Sequence, residues 1–150
     1  LTIARQIVDR EFPFTLRFIM FGSEELGLFG SRHYVDGLTD RQVQDIVAML
    51  NFDVSGSGRT VEIIGTPDLV NLGVGYGQQY GLNVRKGTPL DGAGSDHQPF
   101  AEVGVSVAFL LADDLSRINA PGDDLAFVDS ELIGVTVVLG LAILDELAEP

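Results

Sequence analysis

Three short stretches of this chain carry residues that could do chemistry. Glu24-Glu25 sets two carboxylates side by side directly after an apolar run. Adjacent carboxylates repel, so solvent, a cation or a shared proton must offset the cost. The pair would also serve as the ordinary acidic start of a helix, where the dipole favours negative charge. Asp53, in Asn51-Phe52-Asp53, ends a second apolar run. It reads either as a turn acid ahead of Ser55-Gly56 or as a further carboxylate delivered to the same edge. Two such ends would make a metal-binding crevice. Oxygen donors alone suit Mg²⁺ or Ca²⁺, whereas zinc normally wants histidine as well. Ser95-Asp96-His97 is the third stretch. Three consecutive residues cannot form a nucleophilic triad among themselves, and no Gly-x-Ser-x-Gly elbow supplies another serine. His97 is one of 2 histidines; the other, His33, falls in a helical stretch and reads as structural.

The elements that must position these residues alternate between strand and helix. Ile3, Ile7 and Val8 share one helical face within Leu1 to Arg10, and Pro13 ends that helix. Thr15 to Phe21 predicts a strand buried on both faces. A helix follows over Glu25 to Val35, then a short one over Asp40 to Ile46 with Thr39 as its cap. Strands are expected at Val47 to Phe52, Val61 to Ile64 and Val105 to Leu111. Thr66-Pro67 opens a helix ending near Tyr80-Gly81, with the threonine as cap and the proline in the first turn. Lys86 to Asp96 reads as a loop, and Asp129 or Ser130 caps a long helix running to Leu147. This order implies an α/β layered fold with a largely parallel sheet. Ligands then sit beyond the carboxyl ends of strands, which singles out residues 22–25, 53–56, 65–68 and 112–119.

Composition narrows the function. The 150 residues carry 9 Lys+Arg against 22 Asp+Glu, a net charge of -13. Such a field repels phosphate backbones, so nucleic acid is not an expected partner. Hydrophobic residues make up 45% of the chain, enough for a core. Leu132 to Leu144 is strongly apolar but too short to span a membrane. With 0 cysteines, disulfides, thiolate metal sites and thiol nucleophiles are excluded. Gly73-Val74-Gly75-Tyr76-Gly77 lacks dinucleotide spacing, and no P-loop lysine follows it. Asp113-Asp114 and Asp123-Asp124 could bind Ca²⁺, but no Asp-x-Asp-x-Asp-Gly loop is present, and they read as solvated loop acids.

Taken together, the motifs resemble a known family. Residues 21–35, Phe-Gly-Ser-Glu-Glu-Leu-Gly-Leu-Phe-Gly-Ser-Arg-His-Tyr-Val, are similar to the signature of M28 aminopeptidases. Asn51-Phe52-Asp53 and Ser95-Asp96-His97-Gln98-Pro99-Phe100 follow in the expected order. The resemblance covers essentially the whole chain and implies a three-layer α/β/α sandwich of the zinc-exopeptidase kind. It implies that Glu24 is the general base, that Glu25 and Asp53 each ligate one of two zinc ions, and that Ser95, Asp96 and His97 form a loop near the substrate pocket. The expected substrate is a peptide, cleaved at its N-terminal bond by a metal-activated water.

This chain departs from that family pattern in two places. The family carries a His-x-Asp motif and a bridging aspartate ahead of the Glu-Glu motif, and residues 1–23 contain no histidine. Residues 1–150 therefore read as one partial domain lacking its N-terminal part. Asn119, in Asn119-Ala120-Pro121-Gly122-Asp123, stands at the position of the family's last histidine ligand, and Ile118 matches the tyrosine that often precedes it. A catalytic zinc takes three protein ligands. The chain alone is therefore expected to hold zinc weakly or not at all and to be inactive, while its full-length parent would carry zinc. The alternative is a non-catalytic member whose decayed site serves binding or assembly. A missing first part would also expose a sheet edge through which the chain could self-associate. The resemblance leaves an extracytoplasmic location open.

Overall fold

The computed structural model describes residues 1–89 and 94–149. In chain order it contains α1 (Thr2–Gln6), α2 (Phe29–Asp36), α3 (Asp40–Gln44), β1 (Met49–Phe52), β2 (Val61–Gly65), α4 (Pro67–Gln79), β3 (Val84–Lys86), α5 (Gln98–Glu102), β4 (Val107–Ala112) and α6 (Ser130–Ala148), with a 3₁₀ turn at Leu125–Phe127. The four strands form one sheet in the order β1-β4-β2-β3. β1 with β4 and β2 with β3 pair in parallel, while β2 runs antiparallel to β4. Among the described residues, no helix is long and apolar enough to cross a membrane.

β4 is the centre of the molecule. All of its residues are buried, as a continuous apolar run covered on both faces demands. On one face Ala108 and Leu110 pack with Val61 and Ile63 of β2, Val70 of α4, and Leu139 and Ile143 of α6. On the other, Val107 packs with Val35 of α2 and Phe100 of α5. Helices thus cover both faces of a mixed, mostly parallel sheet, which is the expected three-layer α/β/α arrangement. α4 comes close because its sheet-facing side carries Gly73 and Gly77. A Cβ there would stand 2.5 Å from Ile63 and 2.6 Å from Val84, respectively. The glycine-rich stretch is a packing surface.

The helix starts follow capping chemistry at two sites and depart from it at a third. Thr39 and Gln42 form a reciprocal capping box on α3. Asp129 caps α6, accepting from the amides of Glu131 and Leu132. Thr66 does not cap α4. Its hydroxyl accepts instead from the Val107 amide at 2.9 Å, so it serves the neighbouring strand.

Other expectations are corrected too. α1 is shorter than Leu1 to Arg10, and α2 begins at Phe29, after a loop that contains Glu24 and Glu25. The short elements β3 and α5 have no counterpart in the sequence reading. The loop expected over Lys86 to Asp96 includes residues 90–93, which lie outside the described residues. The antiparallel step between β4 and β2 sends the carboxyl end of β2 to the opposite edge of the sheet, so residues 65–68 stand away from Asp53.

The largest departure is Thr15 to Phe21. These residues form no strand, and Phe18 is 52% and Met20 82% exposed. The reason is positional. Leu16 packs into the cluster of Ile3, Ile7 and Leu144 beneath α1 and α6, while Phe21 packs against the α2 and α5 cluster. Arg17 also donates to the Tyr34 hydroxyl at 2.9 Å. The segment is pinned by both helical layers beside the sheet, and among the described residues no backbone hydrogen bond involves residues 11–21.

Candidate functional site

Glu24 sits in a loop closed on itself. Its carbonyl accepts from the amides of Gly27 and Leu28, the Ser23 carbonyl accepts from Leu26 and Phe29, and Gly30 donates back to Gly22. Gly30 permits this closure, since a Cβ there would meet the Gly22 carbonyl oxygen at 2.6 Å. Ser23 and Leu28 bracket the loop in left-handed conformation. The result is a fixed half-buried carboxylate at Glu24 and an exposed one at Glu25. Burial raises the proton affinity of Glu24, and the nearby charges of Asp53, Glu25 and Asp96 raise it further.

Asp53 follows β1 and is oriented on both oxygens. One accepts from the Val54 amide at 2.8 Å and the other from the Ser95 hydroxyl at 2.8 Å. Ser95 in turn accepts from the Asn51 side-chain amide at 2.7 Å. Asn51 and Ser95 are both buried, so this relay is shielded from solvent and holds the carboxylate in one direction. Val54, the next residue, has φ of 48°. A β-branched residue in that region is strained, and such strain collects where a neighbour must be held in an awkward position.

One cavity of about 1030 Å³ is lined by Glu24, Glu25, Asp53, Ser95 and Asp96. The structure therefore brings together the carboxylates of the first two stretches and two residues of the third. His97 stands behind them, buried and stacked on Phe109 with ring centroids 4.7 Å apart. Burial lowers its proton affinity, and the Asp53 charge opposes that shift only in part. Its Nδ1 and the Asp96 Oδ1 are buried without a hydrogen-bond partner among the described residues. Asn119 reaches the site from the loop after β4, donating to the Glu25 carboxylate at 2.7 Å. Its φ of 57° is a left-handed conformation that asparagine tolerates. His33 is exposed on α2, outside the cavity lining.

Three of the remaining paired acids have local partners, Asp124 accepting from the Ala126 amide. Asp113 accepts from the Arg59 and Thr60 amides and faces Arg85, and Asp114 caps Ser116. Two contributors were not singled out by sequence reasoning. Asn51 had a visible signal, a polar residue inside the apolar strand Met-Leu-Asn-Phe. The strain at Val54 had none.

Chemically, Glu24 with the neighbouring charges of Glu25, Asp53 and Asp96 can attract a cation or share a proton, and a half-buried carboxylate with raised proton affinity can accept a proton from water. Among the described residues, however, no group of three or more His, Cys, Asp or Glu is placed to hold a metal ion.

Comparison with known proteins shows the family and the fold. The sequence model of Peptidase family M28 matches residues 1–141. Leupeptin-inactivating enzyme 1 of Streptomyces exfoliatus is 36% identical over 98 residues, covering 65% of this chain and 22% of that protein. Aminopeptidase YwaD of Bacillus subtilis is 34% identical over 133 residues, covering 77% of this chain and 28% of that protein. Among solved structures, a zinc aminopeptidase from Bacillus subtilis superposes with a TM-score of 0.83 at 25% identity, over 96% of this chain and 38% of that one. The chain thus spans well under half the length of each of these relatives.

Proposed function

The chain belongs to peptidase family M28, and from that premise we propose that it carries the carboxylate part of an aminopeptidase catalytic site. The observation that supports this reading is the meeting of Glu24, Glu25, Asp53 and Asp96 at one cavity, with Glu24 raised in proton affinity. In this reading Glu24 takes the proton from the water that attacks the scissile carbonyl. In the longer protein Glu25 and Asp53 would be oxygen donors to a metal, and the Asn51–Ser95 relay aims Asp53. The crowd of negative charge also favours the protonated α-amine of a peptide substrate.

The resemblance and the solved relative imply zinc, which as a Lewis acid would polarise the carbonyl and acidify the water. The described residues do not fit a catalytic zinc on their own, since three protein ligands are needed for each ion. Residues 1–150 alone are therefore inactive in this reading, and activity belongs to the longer protein. The test is hydrolysis of a leucyl anilide by that longer protein after zinc repletion. Glu24→Gln should lower kcat by about 10²–10⁴-fold with KM little changed. Wild-type rates in Glu24→Gln would overturn the assignment.

One observation favours a second reading, a non-catalytic domain serving binding or assembly. Asn119 stands where the family resemblance calls for histidine, and its amide donates to Glu25. An amide nitrogen donating to that carboxylate is a hydrogen-bond clasp, not a metal ligand. A folded longer protein that holds substoichiometric zinc and leaves the anilide intact would establish this reading over the first.

A further inference from the structure

The connection over residues 113–129, between β4 and α6, is fixed at both ends and hooked to the carboxylates in its middle. The Asp113 and Asp114 amides donate to the carbonyls of Thr60 and Ser57, and the Asp129 amide donates to that of Gly56. Midway, the Asn119 side-chain amide donates to the Glu25 carboxylate at 2.7 Å. Arg117 stands two residues before that contact, in a turn closed by the Ala120 amide donating to its carbonyl. Its Cα therefore lies within about 7 Å of the Asn119 Cα. The guanidinium rests over the Phe127 ring, with Cζ 3.4 Å from the ring centroid. Stacking of this kind fixes a side chain that is otherwise free to turn. Gly122, where a Cβ would stand 4.0 Å from Nη1, brings no side chain to cover it.

Arg117 is also a cation that the fold does not use up. Arg10, Arg32, Arg41 and Arg85 each pair with a carboxylate, as expected in a chain with 22 Asp+Glu. Among the described residues Arg117 has no ion pair and no side-chain hydrogen bond. Asp114 is near enough to feel its charge, but the Asp114 Oδ1 accepts from the Ser116 amide and hydroxyl instead.

We infer that Arg117 receives the free α-carboxylate of a short peptide substrate, a dipeptide or tripeptide whose amine sits at the cavity lined by Glu24, Asp53 and Asp96. The inference rests on the peptidase reading and names the substrate class of that site. A planar guanidinium with five donors matches a carboxylate in bidentate fashion, and one already held on a ring loses less freedom on binding. The lengths agree, since two extended residues span about 7 Å and three about 10 Å. So do the charges. The carboxylates draw the ammonium end and repel the carboxylate end, which leaves Arg117 as the favourable place for it on the loop that touches Glu25.

The test is kcat/KM of the natural longer protein, zinc-replete, on leucyl-leucine and on leucyl-leucinamide, which lacks only the terminal charge. Arg117→Met should lower the acid-to-amide ratio about tenfold, through KM for the acid, with amide hydrolysis unchanged. Arg117→Lys, which keeps the charge without the fork, should give an intermediate ratio. The same ratio in wild type and Arg117→Met would overturn the inference. Equal losses on both peptides would do so too, because they would mark Arg117 as a support of the loop alone. If the wild type cleaves neither peptide, the functional proposal falls and calorimetric binding of the two peptides decides this one. Acid binding that weakens in Arg117→Met while amide binding holds would uphold it, and equal affinities throughout would overturn it.

Discussion

β4 lies between two hydrogen-bonded neighbours with every residue buried, whereas residues 15–21 run beside the sheet unpaired and leave Phe18 and Met20 in the open. Both stretches are rich in apolar residues, although residues 15–21 include the exposed Thr15 and Arg17, and both lie between helical layers. What separates them is the supply of partners. A strand needs backbone donors and acceptors on its flanks as well as apolar cover. β4 has β1 and β2 on its flanks, while residues 15–21 have helices above and below and nothing alongside. Apolar patterning reports a stretch's capacity to be a central strand, and only its neighbours decide whether it becomes one.

The contrast can be broken by mutation. Leu110→Ala in β4 should destabilise the chain by about 2–5 kcal/mol in urea denaturation, since Leu110 is fully buried. A value near zero would mean that the described core is not the core in solution. Next in size is the relay that joins the sheet to the site. Ser95→Ala leaves Asp53 and the Asn51 amide each short of a buried partner and should cost about 1–3 kcal/mol, read by the same denaturation.

Asp113, on the loop that follows β4, gives a smaller and pH-dependent effect. Burial alone would raise its proton affinity, but the Arg59 and Thr60 amides, the Thr60 hydroxyl and the Arg85 charge outweigh that and hold it below the ordinary carboxylate value. A depressed pKa stabilises the fold above the unfolded value and loses that contribution as pH falls through the folded one. Asp113→Ala should therefore cost about 1–2 kcal/mol near neutrality, and the gap to the parent should close below about pH 4. A gap that persists in acid would assign the loss to packing.

The smallest effect belongs to the unpaired stretch. Phe18→Ala should change the stability of residues 1–150 by less than about 0.5 kcal/mol. A loss as large as that of Leu110→Ala would remove the distinction between the regions.

How much of this was legible beforehand depends on whether the signal was local. β4 and α6 announce themselves through continuous apolar runs, and α6 also through a cap at Asp129 or Ser130, of which Asp129 is the one used. Asp53 follows a strand end as expected, whereas Glu24 and Glu25 reach the cavity from the loop ahead of α2, for which the Glu-Glu motif was the only signal. β3 and α5 were missed because 3 and 5 residues are too few to show a period. The antiparallel step between β4 and β2 leaves no trace in either strand, because direction is a property of the connection. Thr66 was misread because its hydroxyl serves the amide of a distant strand, and residues 15–21 because composition says nothing about flanking partners.

The sheet order β1-β4-β2-β3 also has a consequence for biosynthesis. Its centre is the last strand to be made, and β1 and β2 share no ladder until β4 arrives between them. The ribosome releases β1 about 60 residues before it finishes β4, a wait of roughly 3–12 s at about 5–20 residues per second. Through that interval β1 and, once made, β2 are apolar edges without β4, their common partner. The nascent chain is therefore a long-lived client for chaperones, and a pause in translation before Val107 would prolong its exposure to aggregation.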